Sequence, residues 1–185
     1  MPTTNRKLFC QSCGGLVATG PDGHKSCGQC GLDIFENPIP VVVALVPVRD
    51  QDGVGLLVLR RGIEPGRGKL ALPGGFLEME AWQTGLSREL EEETRLVLGP
   101  EVWSPFGFAS SEPQPNRLLA FATCPAVAAA DIPAFTPSDE TEALGLVFNP
   151  DQLDALMAFP LHLAQIQAWF AGHGGTGPAG FHPLG

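Results

Sequence analysis

Within the stretch from Leu72 to Leu98, six glutamates, Glu78, Glu80, Glu89, Glu91, Glu92 and Glu93, crowd into sixteen positions, 78–93, in which Arg88 is the sole cation. Like charge at that density is costly unless something neutralises it, and a metal ion is the obvious candidate. At about 100° per residue, Glu89, Glu92 and Glu93 share one face of a helix predicted over Gln83 to Leu96, while Glu91 points away. Leu86, Leu90 and Val97 recur at spacings of four and seven, an apolar stripe that can dock this helix beside its acids. Three convergent carboxylates suit hard cations such as Mg²⁺ or Mn²⁺, which are commonly shared with substrate phosphates. The alternative is a solvated acidic face, the usual fate of a charge run. It explains neither the turn predicted at Pro73, Gly74 and Gly75 nor the placement of Arg88 directly before the first inward glutamate.

A second constellation lies near the amino terminus. Cys10, Cys13, Cys27 and Cys30 form C-x2-C-x13-C-x2-C, two close pairs of the kind that tetrahedral zinc requires. Gly14, Gly15, Gly28 and Gly31 allow the tight turns that aim successive thiolates at one ion. The alternatives are a redox C-x-x-C, which lacks a βαβ context, and oxidised pairs, which lack a secretion signal. Four thiolates fill the coordination shell, so the zinc would be structural. Cys124 has no motif around it and reads as a core thiol.

These sites need scaffolding, and 185 residues with 44% hydrophobic and 17% charged content are enough for one medium soluble domain plus an appendage. A net charge of −9 argues against broad capture of nucleic acid or anionic membranes. The apolar run Ile39 to Val48 is too short to span a bilayer, and Met1 to Phe9 lacks the apolar centre of a signal peptide. A cytoplasmic location is the resulting expectation. Residues 1–35 are predicted as the cysteine module, with a turn at Pro21, Asp22 and Gly23. Strands follow over Pro40 to Val48, Val54 to Arg61 and Leu70 to Leu72, with a glycine-rich loop from Gly62 to Gly68. Beyond the acidic helix, strands are predicted over Glu101 to Ala109, Leu118 to Cys124 and Glu142 to Phe148. Loops cover Ser110 to Arg117 and Pro125 to Thr141. A short helix from Pro150 to Met157 capped by Asn149, and a longer one from Leu161 to Phe170, close a main domain over 36–171. His162 and Trp169 read as structural. The glycine-rich 172–185 is predicted as a disordered tail.

The acidic stretch resembles the Nudix box, G-x5-E-x7-R-E-U-x-E-E-x-G-U with U aliphatic. Counting from Gly74, the chain supplies Glu80, Arg88, Glu89, Leu90, Glu92, Glu93 and Leu96 in register. Two departures stand out. GGFLEME lacks the glycine that relatives carry before the glutamate, so the turn is one residue shorter or differently closed. Arg95 also replaces the family's glycine, so the usual left-handed helix cap is not assured. With the cysteines, the chain resembles the zinc-ribbon branch of Nudix hydrolases. The resemblance implies an α/β/α sandwich with a mixed sheet, preceded by a small zinc ribbon; sequence pattern alone says only mixed α and β.

Function follows by the same resemblance. It implies Mg²⁺- or Mn²⁺-dependent hydrolysis of the pyrophosphate bond in a nucleoside diphosphate joined to another group. Glu89, Glu92, Glu93 and the carbonyl of Gly74 would hold the metal, with Arg88 steadying a carboxylate and Glu80 as an auxiliary group. The general base is Glu93, Glu140 or Glu142. Arg60, Arg61, Arg67 and Lys69, together with Asn116 and Arg117, are candidate substrate contacts. The segment SSEPQPNR lacks the Trp and Phe that NADH pyrophosphatases of the superfamily carry there. ADP-ribose-like or dinucleotide substrates such as FAD therefore come first, and damaged nucleoside triphosphates second. The different-class alternative is a non-catalytic nucleotide sensor using the ribbon as an interaction module. The resemblance also implies a homodimer.

Overall fold

The computed structural model describes residues 8–111, 116–175 and 177–184. The chain divides into two compact units at Pro38 and Ile39. The smaller unit is a two-stranded antiparallel ribbon, β1 (Val17–Thr19) and β2 (Lys25–Cys27), with Val17 opposite Cys27.

In the larger unit, the apolar run predicted as one strand is two. β3 (Ile39–Leu45) and β4 (Pro47–Asp50) are separated at Val46, where Pro47 interrupts the ladder and the chain passes from one sheet to another. β5 (Gly53–Arg61) returns antiparallel to β4, and β6 (Leu70–Ala71) pairs back on β5. Gly74 and Gly75, predicted as a turn, instead lie with Phe76 in β7 (Gly74–Phe76), antiparallel to β3. Helix α1 (Trp82–Thr94) follows. The remaining elements are β8 (Ser104–Ser111), β9 (Arg117–Thr123), β10 (Val127–Ala128), β11 (Thr141–Val147), helix α2 (Pro160–His173) and β12 (His182–Pro183).

Four strands form a sheet ordered β7-β3-β9-β8 in which β3 and β9 are parallel. The other sheet runs β10-β4-β5-β11-β12, with β6 on β5. Both sheets mix parallel and antiparallel pairs. One core joins Val43, Phe121, Val58 and Val147 from the two sheets to Ile166, Trp169 and Phe170 of α2. The other joins Val42, Ala44, Leu57 and Leu146 to Leu86 and Leu90 of α1. Each helix thus covers one side of the sheets, as an α/β/α arrangement requires. Leu86 and Leu90 are wholly buried, each contributing about 2 kcal/mol by area. Val97, counted in the predicted stripe, lies past the helix end and is exposed; Leu96 is buried in its place.

Three local predictions fail for identifiable reasons. Residues 149–157 form turns, not a helix: Asn149 Oδ1 accepts from Asp151 N at 2.9 Å, and Gln152 sits at φ 64°, outside the helical region. Helix α2 runs on to His173, whose Nδ1 lies 2.8 Å from Trp169 O and whose ring stacks on Trp169 at 4.4 Å. The segment predicted as a disordered tail carries β12, which pairs with β11 at Gly145 and Leu146. Glycine content misled there, because Gly177 lies so close to Phe148 that a side chain would collide with it.

Helix α1 ends with Arg95 in the left-handed conformation at φ 63° and ψ 2°, its N–H donating to Glu91 O at 2.8 Å. The family's glycine geometry is kept without the glycine, at a steric cost. Arg95→Gly should therefore raise stability by about 0.5–1 kcal/mol in urea unfolding followed by tryptophan fluorescence; an unchanged or lower midpoint would show no strain at that cap.

His162 is buried in α2, where Nδ1 accepts from Leu72 N–H at 3.2 Å and the ring meets Phe121 and Phe159. Burial, with the nearby charge of Arg61, pulls its pKa down to about 3. The folded state thus binds fewer protons than the unfolded one, and this stability is present above pH 6.5 and lost as pH falls toward 3. Between pH 6.5 and 5, wild type should lose up to about 1.4 kcal/mol per pH unit more than His162→Gln. Parallel stability curves for the two proteins would contradict this.

Candidate functional site

In the ribbon, the four cysteines converge with every Sγ within 4.8 Å of the others; Cys10 and Cys30 are 3.7 Å apart, Cys13 and Cys27 3.5 Å. Tetrahedral zinc with Zn–S of about 2.3 Å places sulfurs about 3.8 Å apart, so the donor set fits that ion. The knuckles are built by backbone geometry. Gly14 and Gly31 take φ 72° and 73°, and Gly14 and Gly31 N–H groups close onto the carbonyls of Cys10 and Cys27. Cys27 Sγ accepts from the N–H groups of Cys30 and Gln29 at 3.5 and 3.4 Å. Those donors pull its pKa down to about 6, which favours the metal-binding thiolate. Cys124 is buried, and burial pushes its pKa up to about 12, as befits an unreactive core thiol.

The acidic cluster is assembled where β7 meets α1. Gly74 adopts φ 148° and lies so near Val42 O that no side chain fits. Its N–H donates to Glu93 Oε2 at 2.8 Å. Gly75 matters for a different reason: the carboxylate of Glu89 occupies the space a Cβ would take, so a larger residue would displace that acid. The second glycine of the pair is thus the cradle of the first inward acid, a role that the sequence does not disclose. Farther along the helix, Gly85 lets α1 approach Leu77 and Glu80.

Arg88 gathers the other acids. Its Nε and Nη2 reach Glu80 Oε1 at 3.1 and 2.8 Å, and Nη1 reaches Glu89 at 2.8 Å and Glu92 at 3.3 Å. Nη2 also donates to Phe76 O at 3.1 Å, fastening the guanidinium to β7. Its pKa is raised, chiefly by the bond to Glu80. The shorter turn before Glu80 closes by Glu80 N–H donating to Glu78 O at 2.9 Å, which leaves Met79 fully exposed and needs no left-handed residue.

Burial pushes the Glu93 pKa up to about 8 against the Gly74 N–H bond, with the charges of Glu89 and Glu140 adding to the rise. Burial likewise raises Glu89, opposed by Arg88. Glu92 stays half-exposed at the rim. The cysteines are the one group of three or more candidate ligands drawn within 4.8 Å among the described residues. Glu89, Glu92 and Glu93 stand wider than that, because Arg88 draws two of them and Gly74 holds the third.

Of the three candidate bases, Glu93 lies in the acidic cluster itself, and the other two separate. Glu142 pairs with Arg67 at 3.5 Å, whereas Glu140 is exposed in the loop before β11 and its charge reaches both Glu89 and Glu93. The candidate substrate contacts are placed unevenly. Arg60 Nη1 donates to Gly68 O at 2.6 Å with its guanidinium over Phe181, and Arg61 Nε donates to Pro65 O at 2.8 Å over Phe159. Arg67 and Lys69 are exposed. Arg117 opens β9 with its guanidinium 5.5 Å from the Phe76 ring, and its buried Nε has no hydrogen-bond partner among the described residues. Asn116 is exposed and accepts from Ile39 N–H through its backbone at 3.1 Å; residues 112–115 of the preceding proline-rich loop lie outside the described residues. The aromatic partners Phe76, Phe159 and Phe181 were not foreseeable, because nothing in the sequence pairs them with particular arginines.

The family model of the NUDIX domain matches residues 38–170. Among solved structures, the NUDIX hydrolase from Nitrosomonas europaea is 25% identical over 92% of this chain and 94% of that one, with a TM-score of 0.63. A bifunctional NMN adenylyltransferase/ADP ribose pyrophosphatase from Francisella tularensis, complexed with AMP and a manganese ion, is 24% identical with a TM-score of 0.56. That match covers 75% of this chain and 42% of the longer one. A UDP-X diphosphatase is 19% identical over 77% of this chain and 68% of that one, with a TM-score of 0.55. The last two likenesses show a shared fold.

The ribbon geometry has a direct consequence. Protein purified without chelators should contain one zinc per chain, and Cys27→Ser should lose it and expose residues 8–38 to protease. Elemental analysis that finds no zinc in wild type would remove the metal from the ribbon.

Proposed function

Because the chain belongs to the Nudix hydrolase family, we propose that it hydrolyses the pyrophosphate bridge of nucleoside diphosphates linked to a second group, ADP-ribose-like compounds or dinucleotides such as FAD, with Mg²⁺ or Mn²⁺. The observation that carries this is the pair of sequestered acids on α1. Burial opposes the charge on both Glu93 and Glu89, yet both are seated on β7, Glu93 by the N–H of Gly74 and Glu89 in the space left free by Gly75. Buried acids held in that way suit a divalent cation. Their oxygens, with the carbonyl of Gly74 and the rim carboxylate of Glu92, form the hard donor set that would hold it. Such an ion supplies Lewis-acid stabilisation of charge on the phosphoryl oxygens.

The chain's own groups do the rest. Arg88 is a positioning residue: it orients Glu89 and Glu92 and is itself held by Glu80 and Phe76 O. Glu140 is the base this arrangement supports over Glu142, because Glu142 is engaged by Arg67 while the charge of Glu140 reaches Glu89 and Glu93. Lys69 is an exposed cation available to a phosphate, and Arg67 is a second where a phosphate displaces Glu142; Arg117 completes the set at the start of β9. A small nucleotide as substrate and a homodimer as the assembled form belong to the same proposal. Among the described residues no helix is long and apolar enough to cross a membrane.

Glu93→Gln keeps an acceptor for the Gly74 N–H but cannot ionise. Chromatographic assay of ADP-ribose, FAD, NADH and a UDP-sugar with Mg²⁺ should show turnover by wild type, falling on the order of 10²-fold or more in the variant. Nucleotide binding by wild type without turnover of any of these would replace the hydrolase with a sensor.

A further inference from the structure

Segment 177–184 is built into the domain. Asn149 Nδ2 donates to Gly177 O at 2.7 Å, Leu184 N–H donates to Leu144 O at 3.0 Å, and the His182 ring sits edge-on to Phe148 at 5.5 Å. Gly145, in the middle of β11, gives the reason for this path. A strand-interior glycine weakens a strand unless something must come close, and here the Phe181 ring fills the place where a Cβ would stand.

The Phe181 ring meets a cation, with the guanidinium of Arg60 lying 4.8 Å from its centroid. The same guanidinium holds Gly68 O at 2.6 Å. Its neighbour Arg61 repeats the device toward the other face of β5, gripping Pro65 O at 2.8 Å while lying 5.0 Å from the Phe159 ring. Two consecutive arginines therefore clamp one loop, each backed by an aromatic face. That loop contains Gly62, Gly66 and Gly68, so it is intrinsically loose and depends on such grips. It is tied to the segment that carries Glu140: Gly62 N–H donates to Glu140 O at 2.7 Å, and Arg67 pairs with Glu142.

We propose that segment 177–184 is a positioning element for the substrate cleft, its Phe181 ring fixing Arg60 and, through Arg60, the loop 62–68 that presents Arg67. Neither Phe181 nor Arg60 touches the reacting groups. Their part is to keep the loop in one pose, so that a phosphate meets an ordered cation and Glu140 keeps its anchor. The consequence for substrate affinity rests on the hydrolase function proposed above; the consequence for loop order does not.

The test uses the full chain and separates the two. Phe181→Leu removes the aromatic face while keeping apolar bulk, Phe181→Tyr restores the face, and Arg60→Lys keeps charge but loses the planar fork. Hydrogen exchange without substrate should accelerate about two- to fivefold across residues 62–69 in Phe181→Leu and Arg60→Lys, remain unchanged in α1 and β9, and return to wild type in Phe181→Tyr. KM for ADP-ribose with Mg²⁺ should rise by a similar factor, with kcat within about twofold of wild type. Unchanged exchange at 62–69, uniform acceleration through the domain, or identical behaviour of the Leu and Tyr variants would each overturn the proposal. Local loosening in a protein that turns over no nucleotide would keep the clamp and refute the hydrolase, and turnover with an unaltered loop would do the reverse.

Discussion

One guanidinium governs the acidic face of this protein. Arg88 is shared among Glu80, Glu89 and Glu92, and it is also fastened to the carbonyl of Phe76 in β7. Without it, the carboxylates on α1 would repel one another across a few ångströms in a partly dry environment, where such repulsion is weakly screened. With it, the acids are tolerable but not satisfied. Glu93 lies beyond its reach and relies on burial and a backbone N–H. The site is therefore stable as a protein surface while retaining an appetite for positive charge.

What could be seen in the sequence depended on whether a signal was local. The identity of the acids, their shared helix face and the cysteine pairs follow from spacing alone, and the structure places them accordingly. Gly74 was legible as a turn-former, yet it serves as an extended strand residue pressed against Val42. Gly75 shows the limit more sharply, since its need arises from a carboxylate fourteen positions later on another element. Arg60 and Arg61 show it again: they lie over Phe181 and Phe159, partners distant in sequence that no local signal pairs with them. Long-range packing also overrode composition in 177–184, where glycine permits close approach and not disorder.

The two donor clusters follow opposite designs. In the ribbon, backbone N–H groups and left-handed glycines bring four soft donors to a near-tetrahedral spacing, so the donor set is nearly complete before an ion arrives. On α1, oxygen donors are held apart by Arg88, and burial opposes the charge on Glu89 and Glu93. The first arrangement suits a permanent structural ion. The second suits one that comes and goes with a ligand of its own.

The crossover at Val46 bears on how such a ligand is admitted. β3 and β4 are separated by that single residue but belong to different sheets, and both flanking strands are anchored in buried cores. A one-residue tether cannot lengthen, so at that corner the two sheets keep one spacing. Breathing of the cleft then falls to its glycine-bearing rims more than to any parting of the sheets beside Val46.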